Sequence, residues 1–234
     1  MDNKSKELLV GLLKAGISDI PLVGGLLNEV CFEIRGRIAQ KRVNDFTNSF
    51  IAYISELGLN IDENVMTSEE FNDIYISILK HVIETKCEHK LKIFREILKS
   101  NTINPCESNF KETFLELVKK LDYIEIEILK IYKDTGVEGN IGVPEGNDIF
   151  VSSRKSRSCK EVITENIKES NAELTALEIE GKYEFYICDL ISKSLLIDTK
   201  TTGNIYGDLK KDAFTMLYIT YFGKEFMKFI QADI

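Results

Sequence analysis

Residues 135–147 read TGVEGNIGVPEGN, with four glycines, one proline and no helical or strand period. Such a stretch supplies turn and linker chemistry and has no apolar face to bury. It separates a long, strongly periodic first part from a second part of shorter segments. The expected fold is mainly α: a helical bundle over residues 1–134, a linker over 135–147 and a small winged-helix-like α+β domain over 148–234.

Upstream of that stretch the apolar residues recur at helical spacing. Leu27, Cys31, Ile34, Ile38, Phe46, Phe50, Tyr53, Ile54 and Leu57 predict one long helix closed by Gly58. Thr67 with Glu70 has the form of a capping box, and Phe71, Ile74, Tyr75, Ile78, Leu79 and Val82 make the buried stripe that follows. A further helix is expected over Glu88–Ser100, facing inward with Leu91, Phe94, Ile97 and Leu98, before a loop from Asn101 to Ser108. Asn109 and Glu112 predict the start of a helix that runs to about Asp134.

Downstream, Ser158 with Glu161 and Ser170 with Glu173 predict two short helices, and a third is expected over Tyr183–Leu196. IDTKTTGNIY (197–206) and FTMLYIT (214–220) carry the β-formers of two wing strands, and a last helix is expected over Gly223–Gln231.

Bulk properties bound the function. The net charge of −8 gives no global attraction to nucleic acid or to an anionic membrane. The five cysteines are scattered without a C-x-x-C pair, which suits reduced thiols and a cytoplasmic protein. Three prolines in 234 residues favour long helices.

Several stretches resemble a known family. They are IPLVGGLLNEV (20–30), KHVIETKCEHKLKIFREILKSN (80–101), FLELVKKLDYIEIEILKIY (114–132), CDLISKSLLID (188–198) and LYITYFGKEFMKFI (217–230). Their order resembles the abortive-infection alpha type of bacterial phage-defence proteins, over about two thirds of the chain. Leu117, Leu121, Glu127, Ile128 and Leu129 match that family's helical signature, and Thr220, Gly223 and Phe226 its threonine-x-x-glycine-x-x-phenylalanine ending. The resemblance implies a bacterial antiphage role, by disabling the infected cell, and brings no catalytic residues with it.

Residue chemistry agrees with a non-enzymatic protein that needs no cofactor. There is no G-x-S-x-G, P-loop or H-E-x-x-H pattern, and the glycines of the linker do not form G-x-G-x-x-G. His81, Cys87 and His89 lack the paired short spacings of a structural zinc site.

Two surfaces are candidates for binding. The apolar runs Leu8–Leu13 and Ile20–Leu27 flank Gly16–Pro21, and each is too short to span a bilayer. Leu12, Leu13, Leu22, Val23, Leu26 and Leu27 are the candidates for contact with a partner or, on activation, with a membrane, because Arg35, Arg37, Lys41 and Arg42 follow them. Arg154, Lys155, Arg157 and Lys160 are the candidate nucleic-acid contacts, with Lys200, Lys210 and Lys211 flanking the wing.

Against nucleic acid, residues 147–234 carry 12 basic and 14 acidic side chains, and the expected reading helix holds Glu184 and Asp189. The primary expectation is therefore an antiphage protein that acts through protein contacts, with homo-oligomerisation open. The alternative is a winged-helix transcription regulator with a helical sensing or dimerisation domain.

Overall fold

The computed structural model describes residues 29–59, 61–103, 109–135, 158–199 and 217–230, together with Gly11 and Phe214. The described chain is mainly helical, with one small antiparallel sheet. It groups into two compact units, residues 1–121 with 229–234 and residues 122–228. The expected linker, 135–147, lies outside the described residues apart from Thr135.

In the first unit, helix α1 (Glu29–Glu56) buries Ala39, Val43, Phe46, Phe50 and Ile54 at steps of three and four. Ile38 and Leu57, expected inward, are exposed instead, because the buried face is centred on Phe46 and Phe50. Gly58 ends the helix at φ +63°, and Leu59 N–H donates to Ile54 O over 3.2 Å, so the expected glycine cap is present.

A single turn, α2 (Glu63–Met66), leads to α3 (Glu69–Glu84). The cap of α3 is Ser68, one residue after the expected Thr67. Ser68 Oγ accepts from Phe71 N–H at 3.2 Å, while the Thr67 hydroxyl turns back to Asn64 O at 3.4 Å. The whole expected stripe of α3 is buried, and Thr47 of α1 shares a 2.9 Å hydrogen bond with the Tyr75 hydroxyl inside the core. Burial pushes that phenol up to about 12.

Helix α4 (Glu88–Ile103) runs through residues 101–103, which were expected in a loop. Asn101 Nδ2 donates to Ile97 O at 2.8 Å and the Thr102 hydroxyl to Lys99 O at 2.6 Å, so both side chains fold back onto the helix's own last turns. Helix α5 (Lys111–Lys120) starts after Phe110 without a side-chain cap, and the expected Asn109–Glu112 box does not form. Glu112 instead accepts from Ser77 Oγ at 2.8 Å, tying α5 to α3. Also within this unit, the Phe229 ring lies 5.3 Å from the Phe114 ring.

The single helix expected from Asn109 to Asp134 is two helices, α5 and α6 (Tyr123–Thr135). Leu121 between them is extended (φ −68°, ψ 140°) and fully buried. Asp122 restarts the helix, its N–H donating to Glu125 Oε2 at 2.7 Å. The two units divide at this break.

The second unit holds α6, α7 (Cys159–Ser170), α8 (Ala176–Ser192), β1 (Leu196–Asp198), β2 (Leu217–Ile219) and most of α9 (Tyr221–Phe229). The Ser158–Glu161 capping box forms as expected. The Ser170–Glu173 box does not: Ser170 closes α7, its hydroxyl bonded to Asn166 O at 2.9 Å, and the working box is Thr175 with Glu178. The helix expected over Tyr183–Leu196 therefore begins seven residues earlier, at Ala176, and ends at Ser192. Strands β1 and β2 pair antiparallel, Ile197 opposite Tyr218.

The threonine-x-x-glycine-x-x-phenylalanine ending has a physical basis here. Thr220 Oγ1 accepts from Gly223 N–H at 2.8 Å and donates to Ser194 O at 2.6 Å, capping α9 and pinning it to the end of α8. A Cβ on Gly223 would sit 2.4 Å from Leu195 O, so only glycine admits that approach. Phe226 is fully buried.

Candidate functional site

Helices α7 and α8 pack together through buried Cys159, Ile163 and Ile167 on one side and Ile179, Tyr183, Ile187 and Leu190 on the other. The inward residues of α8 are spaced at four, four and three. That spacing leaves a second stripe on the opposite face at the same intervals: Leu177, Gly181, Phe185 and Cys188. Leu177 is 83% exposed and Phe185 63% exposed. Two apolar side chains this open on one helix face differ from the scattered single apolar residues of an ordinary surface.

Acids border the stripe. On the 3.6-residue turn, Glu178 falls on one edge and Glu184 on the other, and both are exposed. Hydrogen bonds from the Thr175 backbone and hydroxyl hold the Glu178 carboxyl below the usual range, so it stays ionised. Partial burial, with Glu184 nearby, pushes the Cys188 thiol up, which keeps it a neutral thiol and a poor nucleophile.

A helix read from Tyr183 takes in Phe185 and Cys188 but leaves out Leu177. The available signal was the Thr175-x-x-Glu178 box. A helix that starts there takes in Leu177, about two turns before Phe185 on the same face.

Lys160 alone among the candidate nucleic-acid residues is described. Its ammonium pairs with Glu180 Oε1 and lies 5.1 Å from the centre of the Tyr183 ring. It lines an open groove of about 890 Å³ between α7 and α8, with Glu161, Thr164, Glu165, Lys168 and Glu180. The groove thus sets three carboxylates against two ammonium groups, a poor cradle for phosphate. Arg154, Lys155 and Arg157, like the candidate contact residues Leu12, Leu13, Leu22, Val23, Leu26 and Leu27, lie outside the described residues. No helix among the described residues is long and apolar enough to cross a membrane.

Two further polar clusters lie in this unit. The Glu125 carboxyl is 2% exposed, and its Oε1 has no hydrogen-bond partner among the described residues. Burial pushes it up to about 7, and the Asp189 carboxylate adds to the shift. Asp189 pairs with Lys193; although burial opposes the shift, that partner draws it below the usual carboxylate range, opposite in direction to Glu125. Beside them, burial raises the phenols of Tyr132 and Tyr183, the latter to about 12. Glu125, Tyr132 and Tyr183 are buried, whereas the Asp189 and Lys193 side chains remain 28% and 19% exposed.

In the first unit a hollow of about 410 Å³ is lined by Arg42, Asp45, Ser49, Lys86, Glu88 and Arg95. Its arginines are committed to the protein itself, Arg95 to Ser49 Oγ at 2.6 Å and Arg42 to Ile83 O. His81 is buried and stacked 5.8 Å from Phe94, and burial holds its imidazole below the usual range. Among the described residues no group of three or more His, Cys, Asp or Glu side chains is placed to hold a metal ion. Compared with protein-family models, with curated proteins and with solved structures, the chain matches none.

Proposed function

We propose that the chain is a non-enzymatic protein that works by docking a protein partner on the outer face of α8, in the setting of bacterial antiphage defence of the abortive-infection type. The observation that carries the docking role is the open stripe of Leu177, Gly181, Phe185 and Cys188 between Glu178 and Glu184. The antiphage setting rests on the sequence resemblance alone. A winged-helix-like second unit suits this role. The order α6, α7, α8, β1, β2, α9 is helix, helix, helix, two wing strands and helix, with α8 in the place of the reading helix. An apolar stripe edged with carboxylates repels phosphate and favours protein.

The test is phage challenge of a bacterial host expressing the wild type or the Leu177→Ser/Phe185→Ser variant. Protection by the wild type and its loss in the variant, at equal protein levels, support the proposal. Plaque counts equal to an empty vector across varied phages remove the antiphage setting. Protection that survives the double substitution removes the α8 face. Salt-dependent duplex binding abolished by neutralising Arg154, Lys155 and Arg157 would assign the chain to transcription regulation instead.

A further inference from the structure

We propose that the partner docked on α8 presents a cationic amphipathic helix, with an apolar ridge seated over Gly181 and lysine or arginine side chains reaching Glu178 and Glu184. The inference rests on the docking role of α8 proposed above and adds the chemistry of the occupant.

The shape comes first. Leu177 and Phe185 stand one turn either side of Gly181, and a Cβ built on Gly181 meets nothing within 4 Å. Glycine inside a helix is unfavourable, and no packing among the described residues requires it here. The result is an apolar notch between two bulky walls, the shape that receives a side-chain knob from another helix. Cys188 extends the floor by another turn as an uncharged, weakly polar side chain.

Charge then selects among occupants. Glu180 and Asp189 are already paired, with Lys160 and Lys193. Glu184 forms no ion pair among the described residues. Glu178 spends one oxygen on the Thr175 cap and keeps its charge, with Lys182 one turn on as its nearest cation and its other oxygen open. The two edges of the stripe therefore carry negative charge available to a partner.

A second copy of the chain fits badly. Antiparallel pairing about Gly181 sets Glu178 of one copy opposite Glu184 of the other, and parallel pairing sets each glutamate against itself. An anionic lipid surface meets the same repulsion, reinforced by the net charge of −8. A basic amphipathic helix satisfies both the notch and the edges.

The probe is a fluorescent synthetic helical peptide with leucines at steps of four, four and three flanked by lysines, and a twin with glutamates in place of the lysines. Anisotropy titrations use the full chain. The lysine peptide is expected to bind at least about tenfold more tightly than the glutamate twin, with the gap narrowing as salt screens the contacts. Glu178→Gln/Glu184→Gln should shrink that gap, since glutamine keeps the cap at 178. Leu177→Ser/Phe185→Ser should abolish binding.

Equal binding of the two peptides overturns the inference, and so does a preference that the glutamine variant leaves intact. A dimer in sedimentation that the serine variant dissociates assigns the face to a second copy and also overturns it. If the serine variant loses phage protection while the peptides are not distinguished, docking on α8 stands and the cationic partner falls. If it retains protection, the docking role itself falls.

Discussion

Helices α3 and α8 are close in length, 16 and 17 residues, and each is bounded by a serine or threonine cap. Helix α3 buries eight residues, including Ser77 and His81, and contacts α1, α2, α4 and α5. Helix α8 buries four and leaves a second apolar stripe in the open. Apolar content does not separate the two. What separates them is how many helices surround each one: α3 is enclosed on several sides, whereas α8 is backed by α7 and β1. A central helix spends its apolar residues on the core, and a peripheral one with the same content keeps some for contacts elsewhere.

Single substitutions break or sharpen this contrast. The largest effect is expected from Ile78→Ala in α3, where the side chain is fully buried. Denaturant unfolding should show a loss of about 2–5 kcal/mol, from lost burial and the cavity left behind. In the second unit, Gly223→Ala forces backbone apart where its Cβ would meet Leu195 O, and should cost about 1–3 kcal/mol by the same measurement. A smaller loss would mean that the junction of α8 and α9 yields more readily than the packing around α3.

Glu125 gives the contrast a pH dependence. Its carboxyl, raised to about 7 in the folded chain, binds a proton more tightly than in the unfolded chain. Its contribution is fully present below the unfolded value of about 4.5 and is lost as pH rises through about 7. Unfolding free energy should fall by an amount on the order of 2 kcal/mol across that window. Glu125→Gln should flatten the slope while preserving the bond from Asp122 N–H. A slope unchanged in that variant would place the titration elsewhere.

Gly181→Ala should stabilise the chain by about 0.5–1 kcal/mol, because the alanine meets no neighbour and favours the helix. Its Tm should rise by a few degrees at most, while the notch on α8 becomes shallower.

Much of the first unit was legible from sequence. The stripe from Phe71 to Val82, the Gly58 cap and the inward Phe94, Ile97 and Leu98 follow from period and turn chemistry, and all are found. The break at Leu121 was not read, because leucine and isoleucine spacing runs smoothly across it. The signal lay in Asp122 and Glu125, a capping pair inside an apolar run. The binding face was hidden for a related reason. Ser170 with Glu173 reads as the start of a separate short helix, and the adjacent Thr175–Glu178 box that in fact starts α8 is not distinguished from it by local pattern alone. The choice decides whether Leu177 belongs to the helix, and so whether Phe185 reads as a single exposed apolar residue or as part of an outer stripe.

The most direct test of that distinction is paired measurement of stability and peptide binding on Leu177→Ser/Phe185→Ser. The account predicts an unfolding free energy within about 0.5 kcal/mol of wild type, as for exposed substitutions, together with loss of the lysine peptide. A loss of stability of about 2 kcal/mol or more, the scale of core truncation, with peptide binding unchanged, would place these side chains in the core and contradict it.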